Sequence, residues 1–107
     1  MTPIGKPLIL LGAGGHAKVT IDVARRSGRE VTGLLSKMEP AEHGPLGVPV
    51  LGGDERLEDL TFLSAHDFFV AVGSRHVRRR LAKLLLERGA VLATLVHPDA
   101  VLEQKLR

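Results

Sequence analysis

The stretch from Leu8 to Ala17 reads Leu-Ile-Leu-Leu-Gly-Ala-Gly-Gly-His-Ala, an apolar run that stops in glycines and restarts with helical spacing. An uncharged apolar run of strand length is what a strand buried on both faces of a parallel sheet requires. Gly12, Gly14 and Ala17 then fit the spacing G-x-G-x-x-G/A. In that pattern the first small residue permits a tight turn, the second lets backbone approach a diphosphate, and the third lets helix pack closely on strand. The helix start that follows presents N–H groups without intrahelical partners and about half a unit of positive charge, a seat for phosphate oxygens. A plain turn is the alternative reading of the same glycines. The β-length of the run and the helical pattern directly after it favour the phosphate reading.

The first strand is expected at Leu8 to Leu11 and the first helix from about Gly15 to Ser27, closed by Gly28. Ala17, Thr20, Ile21 and Ala24 share one face of that helix, with Lys18, Asp22, Arg25 and Arg26 opposite. Val19 and Val23 widen the apolar arc, and two readings stay open: a neighbouring helix or second subunit covers them, or they face water. A second strand at Glu30 to Leu35 ends at Ser36-Lys37, and the proline and glycine content of Met38 to Gly47 predicts a loop. Val48 to Leu51 is a short apolar stretch before Gly52-Gly53, and Asp54 is placed to cap a brief helix through Leu60. That region reads as a surface excursion between core elements, at an edge where loops commonly carry ligand contacts.

The strand–turn–helix unit then repeats. Phe68 to Val72 predicts a buried strand, Gly73 a turn, and Ser74 the N-cap of a helix running to about Arg88 and ended by Gly89. Val77, Leu81, Leu84, Leu85 and Arg88 fall along one side of it. A last strand, Val91 to Val96, runs into His97-Pro98, where proline ends regular pairing. Four β segments, at least two joined by helical crossovers, imply a Rossmann-like α/β fold: an open parallel sheet flanked by helices, with right-handed connections.

Composition narrows the function classes. At 107 residues, with 44% hydrophobic and 25% charged residues, the chain is expected to form one domain with one site. No apolar run approaches the roughly 20 residues needed to cross a bilayer, and Met1 to Pro7 lacks a signal-type apolar region. A cytoplasmic location without membrane contact is expected. The absence of cysteine removes disulfides, thiolate metal sites and a cysteine nucleophile. His16, His43, His66, His76 and His97 form no i,i+4 pair, so no metal site is expected. A net charge of +3 raises the question of nucleic acid, but with 3% aromatic residues and neither Trp nor Tyr there is no stacking platform for single strands. No Ser-His-Asp set, carboxylate pair or P-loop lysine stands at a workable position, so no residue is assigned to catalysis.

Ligands of an open parallel sheet bind outside the carboxyl ends of its strands, where the winding direction switches. Three strand ends therefore carry the candidate binding residues: Gly12, Gly14, Gly15 and His16; Ser36 and Lys37; Gly73, Ser74 and Arg75. All three offer donors rather than acceptors, which suits an anion such as a diphosphate. His16 is placed either to donate to a phosphate or to face solvent in the first helical turn. Of the run Arg75, Arg78, Arg79 and Arg80, only the first two are near enough to the helix start to reach the crevice; the others read as a solvated face. An NAD site has an acidic residue about 20 residues beyond the glycines, and here Ser36-Lys37 stands instead. Lys37 can pair with a 2′-phosphate, which keeps a small NADP-binding protein open, although no acid, base or substrate domain for hydride chemistry follows.

Gly-Ala-Gly-Gly-His-Ala-Lys-Val at 12 to 19, Pro-Val-Leu-Gly at 49 to 52, Phe-Val-Ala-Val-Gly-Ser-Arg-His-Val-Arg at 69 to 78 and His-Pro-Asp-Ala at 97 to 100 occur in that order. Together they resemble the N-terminal Rossmann-like domain of the bacterial sugar acetyltransferases of the PglD and NeuD type. The resemblance implies a domain over residues 1–100 that holds a nucleotide sugar such as a UDP-amino sugar, with the glycine turn and His16 facing diphosphate and sugar. Gly73, Ser74 and Arg75 would edge the nucleotide pocket. In the family, a C-terminal left-handed β-helix builds the trimer, binds acetyl-CoA and supplies the catalytic histidine. Residues 101–107 are expected to be a tail at that junction, so no cofactor is assigned to this chain. Ser36 and Lys37 stand where the family carries two acidic residues that contact the nucleotide, a departure that bears on which base is held. The rival reading, from another class, is a stand-alone regulatory or oligomerisation module.

Overall fold

The computed structural model describes residues 5–37, 40–97 and 100–103. At its centre lies β1 (Leu8–Leu11), flanked by β2 (Val31–Leu35) and β4 (Asp67–Val70). With β3 (Val50–Gly52) and β5 (Val91–Leu92) they make a five-stranded, all-parallel sheet in the order β3-β2-β1-β4-β5. Every residue of β1 is at most 1% exposed, as its uncharged sequence requires.

Side chains alternate across a strand, and β1 divides accordingly. Leu8 and Leu10 pack with Ala17, Ile21 and Ala24 of α1 (Gly15–Arg26). Ile9 and Leu11 pack on the other face with Phe62 and Leu63 of α2 (Leu60–Ala65) and Leu81 and Leu85 of α3 (Arg75–Glu87). Helices on both faces of a parallel sheet make this a Rossmann-like α/β fold. Of the two valines on α1, Val23 packs against its core cluster, whereas Val19 is 60% exposed.

Three local expectations are corrected. The strand expected over Val91 to Val96 is broken at Ala93, whose N–H still donates to the Phe68 carbonyl at 2.8 Å. Beyond it, β6 (Thr94–His97) leaves the sheet and pairs antiparallel with β7 (Ala100–Glu103). Strand β6 lies against α1, and Leu95 is buried in the α1-side core. Burial of Leu95 on that face is what the chain gains by turning out of parallel pairing. The division expected at 100/101 falls within β7, while Pro98, Asp99 and residues 104–107 lie outside the described residues.

The second correction concerns Asp54, which caps nothing. A 3₁₀ turn at Asp54–Glu58 follows Gly53, and Asp59 is the residue that starts α2, its Oδ1 accepting from Thr61 N at 2.9 Å and Phe62 N at 3.2 Å. The extended backbone of Asp59 ends the first turn, and α2 lies almost wholly beyond Leu60, where the expected helix stopped. Third, β4 runs from Asp67 to Val70 rather than Phe68 to Val72, although Ala71 N still donates to the Leu11 carbonyl at 2.8 Å. The loop expected over Met38 to Gly47 holds a 3₁₀ turn at Pro45–Gly47, with Met38 and Glu39 outside the described residues.

The amino-terminal rim of the sheet is closed by a buried ion pair. Arg29 Nη2 reaches Asp67 Oδ2 at 2.9 Å, with the two side chains 8% and 13% exposed. The same nitrogen donates to the Lys6 carbonyl at 3.2 Å, and Asp67 Oδ2 also accepts from Lys6 N at 3.3 Å. Arg29 Nε is buried without a partner among the described residues. Among the described residues no helix is long and apolar enough to cross a membrane.

Candidate functional site

Parallel pairing brings all strand exits to the opposite, carboxyl rim. Leu11 stands opposite Val70, so the turns after β1 and β4 are neighbours. Gly12 makes that closeness possible. Its φ is +125°, and a Cβ there would stand 2.5 Å from the Ala71 carbonyl oxygen. The exits are also laced sideways, with Gly12 N donating to the Leu35 carbonyl and Ser36 N to the Gly52 carbonyl, both at 2.8 Å.

From these neighbouring exits two helices begin. Gly14 is the N-cap of α1 with extended backbone, no side chain caps that turn, and a Cβ on Gly14 or Gly15 would meet nothing. Gly14, Gly15 and His16 are exposed. Ser74 is the N-cap of α3, its Oγ accepting from Val77 N at 3.4 Å, and Gly73, Ser74 and Arg75 are exposed. The first turn of α3 holds no acidic residue, while Arg75 and Arg78 lie at its start. Cations at the positive end of a helix dipole are unfavourable by a few tenths of a kcal/mol or more, and an anion seated there would offset that cost. Two groups of candidate residues, Gly12 to His16 and Gly73 to Arg75, therefore sit side by side at the switch between β1 and β4.

Ser36 and Lys37 stand one strand further along, at the end of β2. They line a cleft of about 460 Å³ together with Pro40, Gly52, Gly53, Asp54 and Glu55. The last four come from the end of β3 and are absent from the sequence-based candidates. The donor character expected of the rim holds at the ends of β1, β2 and β4, but β3 brings carboxylates to it. Gly-Gly followed by paired acids, one short β-length run after a loop, was the available signal.

Glu55 is held in place locally. Its Oε1 accepts from Gly53 N at 3.0 Å. That hydrogen bond, with a second from its own N–H and the nearby Arg56 charge, outweighs desolvation and keeps the carboxyl below the ordinary 4.5. A depressed carboxyl contributes stability at and above its unfolded value and loses it as pH falls through the folded one. A carbon-detected NMR titration of Glu55 should therefore show a midpoint below 4.5, and Gly53→Pro, which removes the donor, should raise it. A midpoint at or above the ordinary value in the unsubstituted chain would contradict the Gly53 contact.

The PglD N-terminal domain profile matches residues 7–85. No curated protein sequence matches the chain. Among solved structures, a mutant of perosamine N-acetyltransferase from Caulobacter crescentus, in complex with CoA and GDP-perosamine, is 31% identical with a TM-score of 0.77. The match covers 92% of this chain and 46% of that one. The acetyltransferase domain of PglB from Neisseria gonorrhoeae is 31% identical with a TM-score of 0.74, over 88% of this chain and 45% of the other. The same domain in complex with acetyl coenzyme A is 28% identical, with a TM-score of 0.72, over 90% and 46% respectively. The chain thus spans under half the length of the structures it matches.

Proposed function

The chain belongs to the PglD N-terminal domain family, and on that premise we propose that it is the nucleotide-sugar-binding domain of a sugar acetyltransferase. It positions substrate, and bond making falls to the coenzyme-binding part that such enzymes carry. The observation that carries this reading is the pairing of two helix starts, Gly14 to His16 and Ser74 to Arg75, at the exits of adjacent strands β1 and β4. Backbone N–H groups and a guanidinium gathered at one switch point suit a diphosphate. The complexes of the Caulobacter enzyme with GDP-perosamine add support from a relative of the same fold.

In this reading the glycine turn takes the diphosphate, His16 and Arg75 donate to its oxygens, and the cleft beside Ser36 and Lys37 takes the nucleoside. The sugar faces outward, toward the acetyl donor, in a cytoplasmic, oligomeric enzyme. Isothermal titration of the full chain with UDP- and GDP-linked amino sugars tests it. Saturable binding should appear, and Arg75→Ala should weaken it about tenfold or more, the scale of one charge-assisted hydrogen bond, with the fold unchanged by circular dichroism. No heat and no thermal shift at millimolar ligand would reject the assignment.

A further inference from the structure

We propose that the cleft at the ends of β2 and β3 selects guanine over uracil, with the Asp54 carboxylate accepting from the base's two adjacent N–H groups and the Lys37 ammonium donating to its carbonyl side. This rests on the nucleotide reading above and adds the identity of the base.

The cleft's volume of about 460 Å³ lies within the range of small-molecule sites, roughly 300–1,000 Å³, and a base with its ribose fits it. Its position is the nucleoside side of the fold: phosphates sit at the first glycine turn, and the end of the second strand meets the ribose. What distinguishes this lining is its mixture of charge. Lys37 comes from β2, while Asp54 and Glu55 come from β3, and all three line the one cleft.

Guanine presents N1–H and N2–H side by side as donors, with O6 and N7 as acceptors beyond them. A carboxylate takes the two donors together, and a lysine suits O6 and N7. Uracil presents one donor, N3–H, between two carbonyl oxygens. A carboxylate aligned with N3–H therefore faces a carbonyl oxygen with its second oxygen, and the contact is repulsive. Asp54 has no hydrogen bond or ion pair among the described residues, so both its oxygens are available. Glu55 is committed to Gly53 N through Oε1 and acts as a fixed negative charge beside Asp54. Its lowered pKa keeps that charge in place at mildly acid pH. Two carboxylates and one ammonium ask for a base edge richer in donors than uracil's.

The experiment is isothermal titration of the full chain with GDP, IDP and UDP, using the unsubstituted protein and Asp54→Asn. GDP should bind about tenfold or more tightly than UDP, the scale of one bidentate base contact. IDP, which lacks the N2 amine, should lose most of that advantage, and Asp54→Asn should collapse the GDP-to-UDP ratio toward one. Binding of UDP as tight as GDP would overturn guanine selection while leaving the nucleotide reading standing. IDP binding as tightly as GDP, or an unchanged ratio in Asp54→Asn, would remove the assignment of Asp54. No binding of any of the three would remove both readings. The IDP arm needs no substitution, so a variant that failed to fold would leave the proposal open to refutation.

Discussion

Asp67→Ala should destabilise the chain by about 3–5 kcal/mol, the largest effect expected of any single substitution here. The reason lies in what remains. Arg29 is 8% exposed, its Nη2 is held by Asp67 Oδ2 at 2.9 Å, and its Nε already lacks a partner among the described residues. Removing the carboxylate leaves a buried guanidinium that, among the described residues, keeps the Lys6 carbonyl at 3.2 Å, and an uncompensated buried charge is far costlier than a lost surface pair. The Lys6 N–H loses its acceptor as well. The double substitution Arg29→Met, Asp67→Leu should recover most of the loss, because a buried ion pair seldom outperforms packed apolar groups. Urea denaturation of the three variants measures this. A loss below about 1 kcal/mol for Asp67→Ala would show that water reaches Arg29 and that the rim is open.

Gly12→Ala should cost about 2–4 kcal/mol, through two independent penalties. The backbone at φ +125° is one that L side chains rarely adopt, and the new methyl would meet the Ala71 carbonyl oxygen, a backbone atom that cannot rotate away. Relief requires β1 and β4 to separate at their exits, which would also part the two helix starts and weaken nucleotide binding. Gly14→Ala is the informative control, since a Cβ at Gly14 meets nothing and its φ is ordinary. It should leave stability within about 0.5 kcal/mol. If chemical denaturation gave Gly12→Ala the stability of the unsubstituted chain, the close crossing of the two turns would not exist.

Much of this architecture was legible in the sequence wherever a single period governed a long enough segment. Leu8–Leu11 is apolar at every position and forms the central strand with the expected ends, and α1 and α3 end within two residues of the expected positions, shortly before the positive-φ glycines Gly28 and Gly89. The misses share one cause. Val91 to Val96 is one apolar run, and only the tertiary choice between pairing with β4 and burying Leu95 against α1 breaks it at Ala93. Asp54 and Asp59 are equally good capping residues in isolation, and the backbone at Asp59 decided between them. Asp54 and Glu55 are not legible as cleft residues because their nearness to Ser36 and Lys37 depends on the pairing of Leu35 with Gly52, a long-range register that no local pattern encodes. The resemblance to the PglD N-terminal domain rested on four separated motifs and reached the family; the lining of the cleft lay in a stretch of which only Pro-Val-Leu-Gly took part.

The all-parallel sheet gives the molecule a head and a foot. Four residue steps separate Asp67 at one end of β4 from Ala71 beyond the other, about 13 Å at the rise of a strand, farther than packing effects usually travel between independent positions. Changes at the foot should therefore sum with changes at the head rather than compound them. A lineage built on this plan is free to retune what it recognises without disturbing what keeps it folded, and to harden the fold without blunting recognition.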